Sequence, residues 1–252
     1  MKKLFALIVC LGAVVAAPSL AQQPCPCPEK KEPPPPAFTG NVGFGLGINS
    51  GNTSSTNFSF TLGLKYDPKK QNLVKLDGYY LYGQADSVTN TQKANFVLRD
   101  EYSLSDRFFL FGEVGYLYDR FKGITYLITP TVGAGYKVVK TDAVTLDLSA
   151  GVGLAAEQDA GLSATTSGSF SVGEGLEWKI SSWAKLTQHA SGLWKMNDTN
   201  DYFFHLDAGL VSPLSKVLEM KIAYILDYKN EPWPPTLKKT DSSFIAAIGA
   251  KF

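Results

Sequence analysis

The sequence predicts an all-β fold, a transmembrane antiparallel up-and-down β-barrel of about twelve strands. Two observations carry this. From Phe38 onward apolar and polar residues alternate with period two in twelve successive runs, and the connections between the runs alternate between longer and tighter. Composition agrees. The 252 residues are 44% apolar and 19% charged, rich in Gly (23), Tyr (12) and Phe (15), with only 2 His. A mean hydropathy of −0.05 excludes a polytopic helical membrane protein, but not a barrel, whose two faces average out. The balance of 24 basic against 23 acidic residues excludes the clustered basic excess that binds nucleic acid.

The first element is a secretory signal. Met1-Lys2-Lys3 is a positive start, Leu4 to Ala17 is uncharged and apolar, and Ser19-Leu20-Ala21 offers small residues for cleavage after Ala21. The apolar stretch is short of the ~20 residues a spanning helix needs. Residues 22–37 (QQPCPCPEKKEPPPPA) follow as a Pro-rich periplasmic tether, which favours extended polyproline II. Cys25 and Cys27 are the thiols left after cleavage. A bridge across one proline is strained, and two thiolates do not complete a metal site. They read as inert or linked to another chain, with a redox-active or metal-loading pair as the alternative.

The barrel occupies 38–252. In the first run Val42, Phe44, Leu46 and Ile48 share one face, and Asn41, Gly43, Gly45, Gly47 and Asn49 the other. The second repeats this with Phe58, Phe60, Leu62, Leu64 and Tyr66 opposite Asn57, Ser59, Thr61, Gly63 and Lys65. The remaining ten are 74–82, 94–104, 108–118, 126–138, 144–156, 170–180, 184–194, 202–210, 218–228 and 244–252. Longer loops are expected at 50–54, 85–91, 158–163, 195–200 and 229–241, and tight turns at 67–70, 105–107 and 181–182. Residues 121–124 form a short connection where a long one is expected. This alternation puts the termini and short turns in the periplasm.

A soluble sandwich also alternates, but two features favour the membrane. Aromatic residues sit at strand ends on the apolar face (Tyr66, Tyr116, Trp178, Trp194, Tyr202, Tyr228), as an interfacial girdle requires. The chain also closes on Phe244, Ile248, Ala250 and Phe252, all on that face. Three positions misfit. Asp100 and Glu174 fall on the lipid face, where a bulge or a place near the interface is expected to relieve them. Pro130 is expected to mark a bulge in the sixth strand.

Several segments together resemble a family described as salt-induced outer-membrane proteins (YdiY-like). They are Ser50-Gly51-Asn52-Thr53, Leu104-Ser105-Asp106-Arg107-Phe108-Phe109, Tyr118-Asp119-Arg120-Phe121, Gly133-Ala134-Gly135-Tyr136 and Ala150-Gly151-Val152-Gly153. The resemblance covers essentially all of 38–252. It implies a barrel in the bacterial outer membrane, with outer-membrane lipid and the outer-membrane assembly machinery as partners. Phe252 is then the terminal aromatic of an assembly signal completed by Phe244, Ile248 and Ala250. No activity or catalytic residue comes with it.

Function is sought on the lumen face, a balanced set of acids and bases. Lys75, Asp77, Arg99, Glu101, Glu113, Asp119, Asp147 and Glu177 are expected to form a polar network there. It either stiffens the wall or constricts a channel for small solutes. Four Gly-x-Gly pairs face inward and read as sites of sharp curvature, since a phosphate cradle needs its glycines in a turn opening a helix. His189 and His205 also face inward, with no metal-binding spacing, and nothing points to a cofactor. The expectation is a non-enzymatic envelope protein, structural or a narrow passive pore. The alternatives are a surface hydrolase using His205 and Asp207, and an interaction barrel presenting Trp233 in the 229–241 loop.

Overall fold

The computed structural model describes residues 36–252 except 53, 69, 86 and 87. The signal segment 1–21 and the tether before Pro36, with Cys25 and Cys27, lie outside the described residues. The described residues form twelve strands: β1 Phe38–Ser50, β2 Ser55–Tyr66, β3 Asn72–Ala85, β4 Val88–Ser103, β5 Phe108–Asp119, β6 Ile124–Lys140, β7 Val144–Asp159, β8 Thr165–Ser181, β9 Ala184–Lys195, β10 Tyr202–Pro213, β11 Leu218–Lys229 and β12 Thr240–Lys251. Each pairs antiparallel with the next, and β12 returns to β1 to close the barrel. Closure leaves no strand edge unpaired, which hydrocarbon demands of a backbone. The seam pairs Val42 with Ala250, Phe44 with Ile248 and Ile48 with Phe244.

The outward face is apolar and bare. Phe44, Leu46, Ile48, Val132, Val152 and Ile248 are each more than half exposed, far more apolar surface than a soluble monomer shows. Phe170, Trp194, Tyr202 and Tyr228 form a continuous ring row across β8 to β11, with centroids 5.2, 6.2 and 5.7 Å apart. Inward glycines sit where a neighbouring strand comes too close for a side chain. A Cβ at Gly45 would lie 2.0 Å from the Ala246 carbonyl oxygen, and one at Gly153 2.1 Å from that of Pro130.

The strands run past the apolar band. Residues 88–91, expected in a loop, are the start of β4, and β8 begins at Thr165 rather than Phe170. Ladder pairing needs only the backbone, so the sheet continues where the side chains turn polar. The connections are 51–54, 86–87, 120–123, 160–164, 196–201 and 230–239 at one end, and 67–71, 104–107, 141–143, 182–183 and 214–217 at the other, which carries Phe38 and Phe252. We call these the loop end and the terminal end. The length contrast is smaller than expected and rests mostly on 230–239. The short 120–123 link holds a 3-10 turn, Arg120–Lys122, whose Phe121 and Lys122 amides donate to Asp119 and which ends at Gly123 with φ +74°.

The misfits resolve differently. Asp100 is outward but three residues from the terminal end of β4, beside Tyr102, so it lies at the rim. Pro130 is not a bulge. The β6–β7 pairing skips it and resumes in the same register, Ile128 with Ala156 and Thr131 with Gly153. A missing donor breaks one ladder bond without inserting a residue, which is what a bulge requires. The shifts in β6 fall instead at Ile124/Tyr126 and Lys137/Val139. Glu174 also has no bulge: its pairings with Leu148 and Ala190 lie in unbroken register. It faces outward midway between Trp178 and Phe170, and Gln188 Nε2 donates to its carboxylate at 2.9 Å.

Candidate functional site

Half of the expected network assembles near the terminal end. Lys75 on β3, Arg99 on β4 and Glu113 on β5 are successive register partners, so their inward side chains meet. Arg99 donates through Nε to Glu101 (3.0 Å) and through Nη1 to Glu113 (2.8 Å), while Lys75 Nζ reaches Glu101 at 3.1 Å. The guanidinium lies 3.8 Å from the Phe111 ring centroid, so two inward aromatics, Phe109 and Phe111, floor this network. Asp147 is the register partner of Lys137 on the same inner wall. Asp77 and Glu177 also point inward but stay exposed to the lumen.

Asp119 belongs to a different cluster. It sits at the loop end, 3.6 Å from Lys93. Lys93 on β4 also pairs with Asp227 on β11, across the lumen rather than along the wall. Asp227 is bonded to His205 Nδ1 at 2.6 Å. Beside this lies a second group: Lys195 on β9 pairs along the wall with Glu157 on β7 and with Asp201 in the loop that follows it (2.5 Å), and Lys229 on β11 reaches Asp159 on β7 (2.9 Å). Lys93, Asp227, Lys195 and Lys229 are all buried. Burying such charges is tolerable only when each is paired and hydrogen-bonded.

Apolar side chains fill the space between these charges. Tyr79, Leu81, Ala223, Ile225, Ile245 and Ala247 form one buried cluster inside the lumen, joining β3 to β11 and β12. Leu117, Ile124, Leu127 and Ala155 form another, with Leu193 and Phe203 against it. The sequence reading missed both. Their signal is a lapse of alternation: runs such as Tyr79-Tyr80-Leu81-Tyr82 and Ala223-Tyr224-Ile225-Leu226 are apolar on both faces.

The loop 230–239 folds over this plug. The buried Lys122 ammonium donates to the carbonyls of Asp227 (3.1 Å) and Lys239 (3.0 Å) and to Asp241 Oδ2 (3.0 Å). On the other side the Lys238 amide donates to Asn52 Oδ1 (2.6 Å), and Asn52 donates in turn to the Lys238 carbonyl and to Asp241. A Cβ at Gly123 would lie 2.2 Å from the Trp233 carbonyl oxygen, so only glycine permits this approach. A cleft of about 600 Å³ remains beside the loop, lined by Leu162, Trp233, Pro235, Leu237 and Asp201 among others, with Trp233 41% exposed.

The proposed hydrolase pair does not form. His205 bonds Asp227, and Asp207 instead faces His189, its register partner on β9. His205 and Asp207 point the same way along one strand, and two short side chains at that spacing do not meet, whereas the facing strand offers His205 a nearer carboxylate in its register partner Asp227. Among the described residues no group of three His, Cys, Asp or Glu side chains is placed to hold a metal ion.

A closed twelve-strand antiparallel barrel with an apolar exterior and a charged interior is the architecture of outer-membrane barrels. It is similar to the NanC porin, with a TM-score of 0.57 at 11% identity over 84% of this chain and 100% of that one. It is also similar to the translocator domain of the autotransporter NalP from Neisseria meningitidis, with a TM-score of 0.51 at 11% identity over 86% and 89%. At these identities the likeness shows the fold. No curated protein matches the chain. The chain belongs to the family described as "Protein of unknown function, DUF481", whose model matches residues 42–252, and the family resemblance read from the motifs is borne out.

Proposed function

We propose that this protein is a non-enzymatic barrel of the Gram-negative outer membrane, exported by its signal peptide, with the terminal end in the periplasm and the 230–239 loop outside. Its lumen is a cup open to the periplasm and closed toward the outside at rest. The observation that carries this is the set of buried, mutually paired charges and apolar side chains that spans the loop half beneath the folded 230–239 loop. Catalysis has no support, because the one histidine–carboxylate pair at the loop end is built into that plug.

Passage of small solutes then requires the plug to shift, which makes the pore reading a property of a displaced state. The test is planar-bilayer conductance of refolded protein. Wild type should show no steady conductance, and replacement of 231–238 by a short Gly linker should produce openings. Steady conductance by wild type would overturn the closed-lumen reading. Location is checked separately: the protein should fractionate with the outer membrane and migrate differently on a gel before and after boiling. The assembly machinery and membrane lipid are the partners this reading requires.

The loop offers a second reading as an interaction surface, favoured by the exposed Trp233 beside the cleft. Binding of whole cells to a surface, lost on Trp233→Ala with the barrel intact, is its test.

A further inference from the structure

Glu174 is a carboxylate at the middle of the outward apolar band. It lies four residues from Trp178 toward the terminal end and four from Phe170 toward the loop end, and the ladder around it is regular. Ionisable side chains at such depth are costly unless they have partners. One donor, Gln188 Nε2, is supplied by the barrel itself. A carboxyl has room for several more, and the Gln188 amide has a second N–H and a carbonyl oxygen to offer. Leu148 on β7 and Leu206 on β10 flank the pair, but between them several outward residues are small. Ala190 pairs with Glu174, Ala208 with Gln188, and Gly192 and Ala150 lie close by on β9 and β7. Small residues permit the close backbone approach on which contacts within a membrane depend.

We propose that this face is the contact between two copies of the chain, related by a two-fold axis near Ala190. A second copy is the fitting occupant because the polar pair is self-complementary. In a two-fold contact the second N–H of each Gln188 is donated to Glu174 of the partner subunit. Four hydrogen bonds then close a ring, in which each carboxyl is held between two amides and the carboxyls stay apart. A lipid headgroup does not serve, since headgroups lie at the level of Trp178 and Phe170 rather than between them. The inference rests on the membrane reading and is independent of whether the lumen is closed.

The test counts subunits of dye-labelled, full-length protein in supported bilayers across a range of protein densities. Wild type should pass from single copies to pairs as density rises. Glu174→Leu with Gln188→Leu should raise the dissociation constant by roughly tenfold or more, the loss of at least one good polar contact. Ala190→Trp, which leaves the polar pair intact but blocks approach, should do the same. Heat-modifiable migration reports that each variant remains a barrel, and Ala190→Trp keeps the test alive should the double variant fail to assemble. Wild type that stays single at every density, or pairs that persist unchanged in both variants, would overturn the proposal. Failure of heat-modifiability in wild type itself would instead strike the membrane reading.

Discussion

The two halves of the lumen are lined with the same chemistry and hold it under opposite conditions. Toward the terminal end, Lys75, Arg99, Glu101 and Glu113 follow the wall: at the outer members of the network the Lys75 and Glu113 side chains retain 27% and 22% of their exposure, while Arg99 and Glu101 between them retain 12% and 6%. Toward the loop end, Lys93 and Asp227 retain 5% and 1%, and they cross from one wall to the other. Charge balance is alike in the two halves, so it does not decide their roles. Burial does. A screened wall pair adds little stability and leaves room for water, whereas a buried cross-lumen pair becomes costly the moment one partner is removed. One half is a lined cup and the other is a plug.

The largest effect is therefore expected at Asp227, which joins Lys93 and His205 while its backbone carbonyl accepts from Lys122. Asp227→Ala leaves the buried Lys93 ammonium with only the longer, 3.6 Å contact to Asp119 and should cost about 3–5 kcal/mol in denaturant unfolding of the refolded barrel. A loss below about 1 kcal/mol would show the loop half to be as wet as the other and abolish the contrast.

Lys122→Met should come next. It deletes the donor of three hydrogen bonds, two of them to the 230–239 loop and the strand that follows, while keeping the apolar stem. A stability loss of about 2–3 kcal/mol is expected. The sharper readout is proteolysis: cleavage within 230–239 should accelerate while the strands stay protected. Unchanged cleavage would mean that Asn52 alone holds the loop down.

Glu113→Gln tests the other half and should cost no more than about 1 kcal/mol, because its partner Arg99 keeps Glu101 and the Phe111 ring. Salt separates the two regions. At high ionic strength the Glu113→Gln effect should shrink toward zero, while the Asp227→Ala effect should hold, since buried pairs are screened little. Equal salt sensitivity would break the comparison.

How much of this was legible from the sequence follows from the same contrast. Lipid imposes alternation on the outward face, so strand count, closure and the identity of inward residues could be read along the chain. Neighbouring pairs such as Arg99 with Glu113 were also within reach, because a tight turn fixes the register of a hairpin. Lys93 with Asp227 was not. Residues 134 apart meet only once the stagger of all intervening strands is known, and no local pattern states that stagger. The same gap misassigned His205 to Asp207 and placed Asp119 in the wrong network. The apolar plug hid for another reason: inward Leu81, Ile225 and Ile245 look like interruptions of a pattern until they are seen to touch one another.

The last effect is expected at the terminal end, on removal of Phe252, where assembly should change far more than stability. The residue exchanges two backbone hydrogen bonds with Gly40, at 2.8 and 3.0 Å, and its ring lies 5.9 Å from that of Phe38. These contacts extend the seam by one step beyond ten already paired positions between β1 and β12. Losing them should cost only about 1–2 kcal/mol in the refolded barrel, because the seam remains closed from Asn41 to Ser50. Assembly in cells depends on something else. On the proposed reading an assembly partner recognises the unfolded chain before any seam exists, and Phe244, Ile248, Ala250 and Phe252 form the outward row it would read along one edge of an unpaired strand. Deleting Phe252 should thus lower outer-membrane yield severalfold while detergent-refolded protein melts almost as wild type does. A large loss of melting temperature with normal yield would reverse the assignment, making the terminal aromatic a structural clasp of the seam.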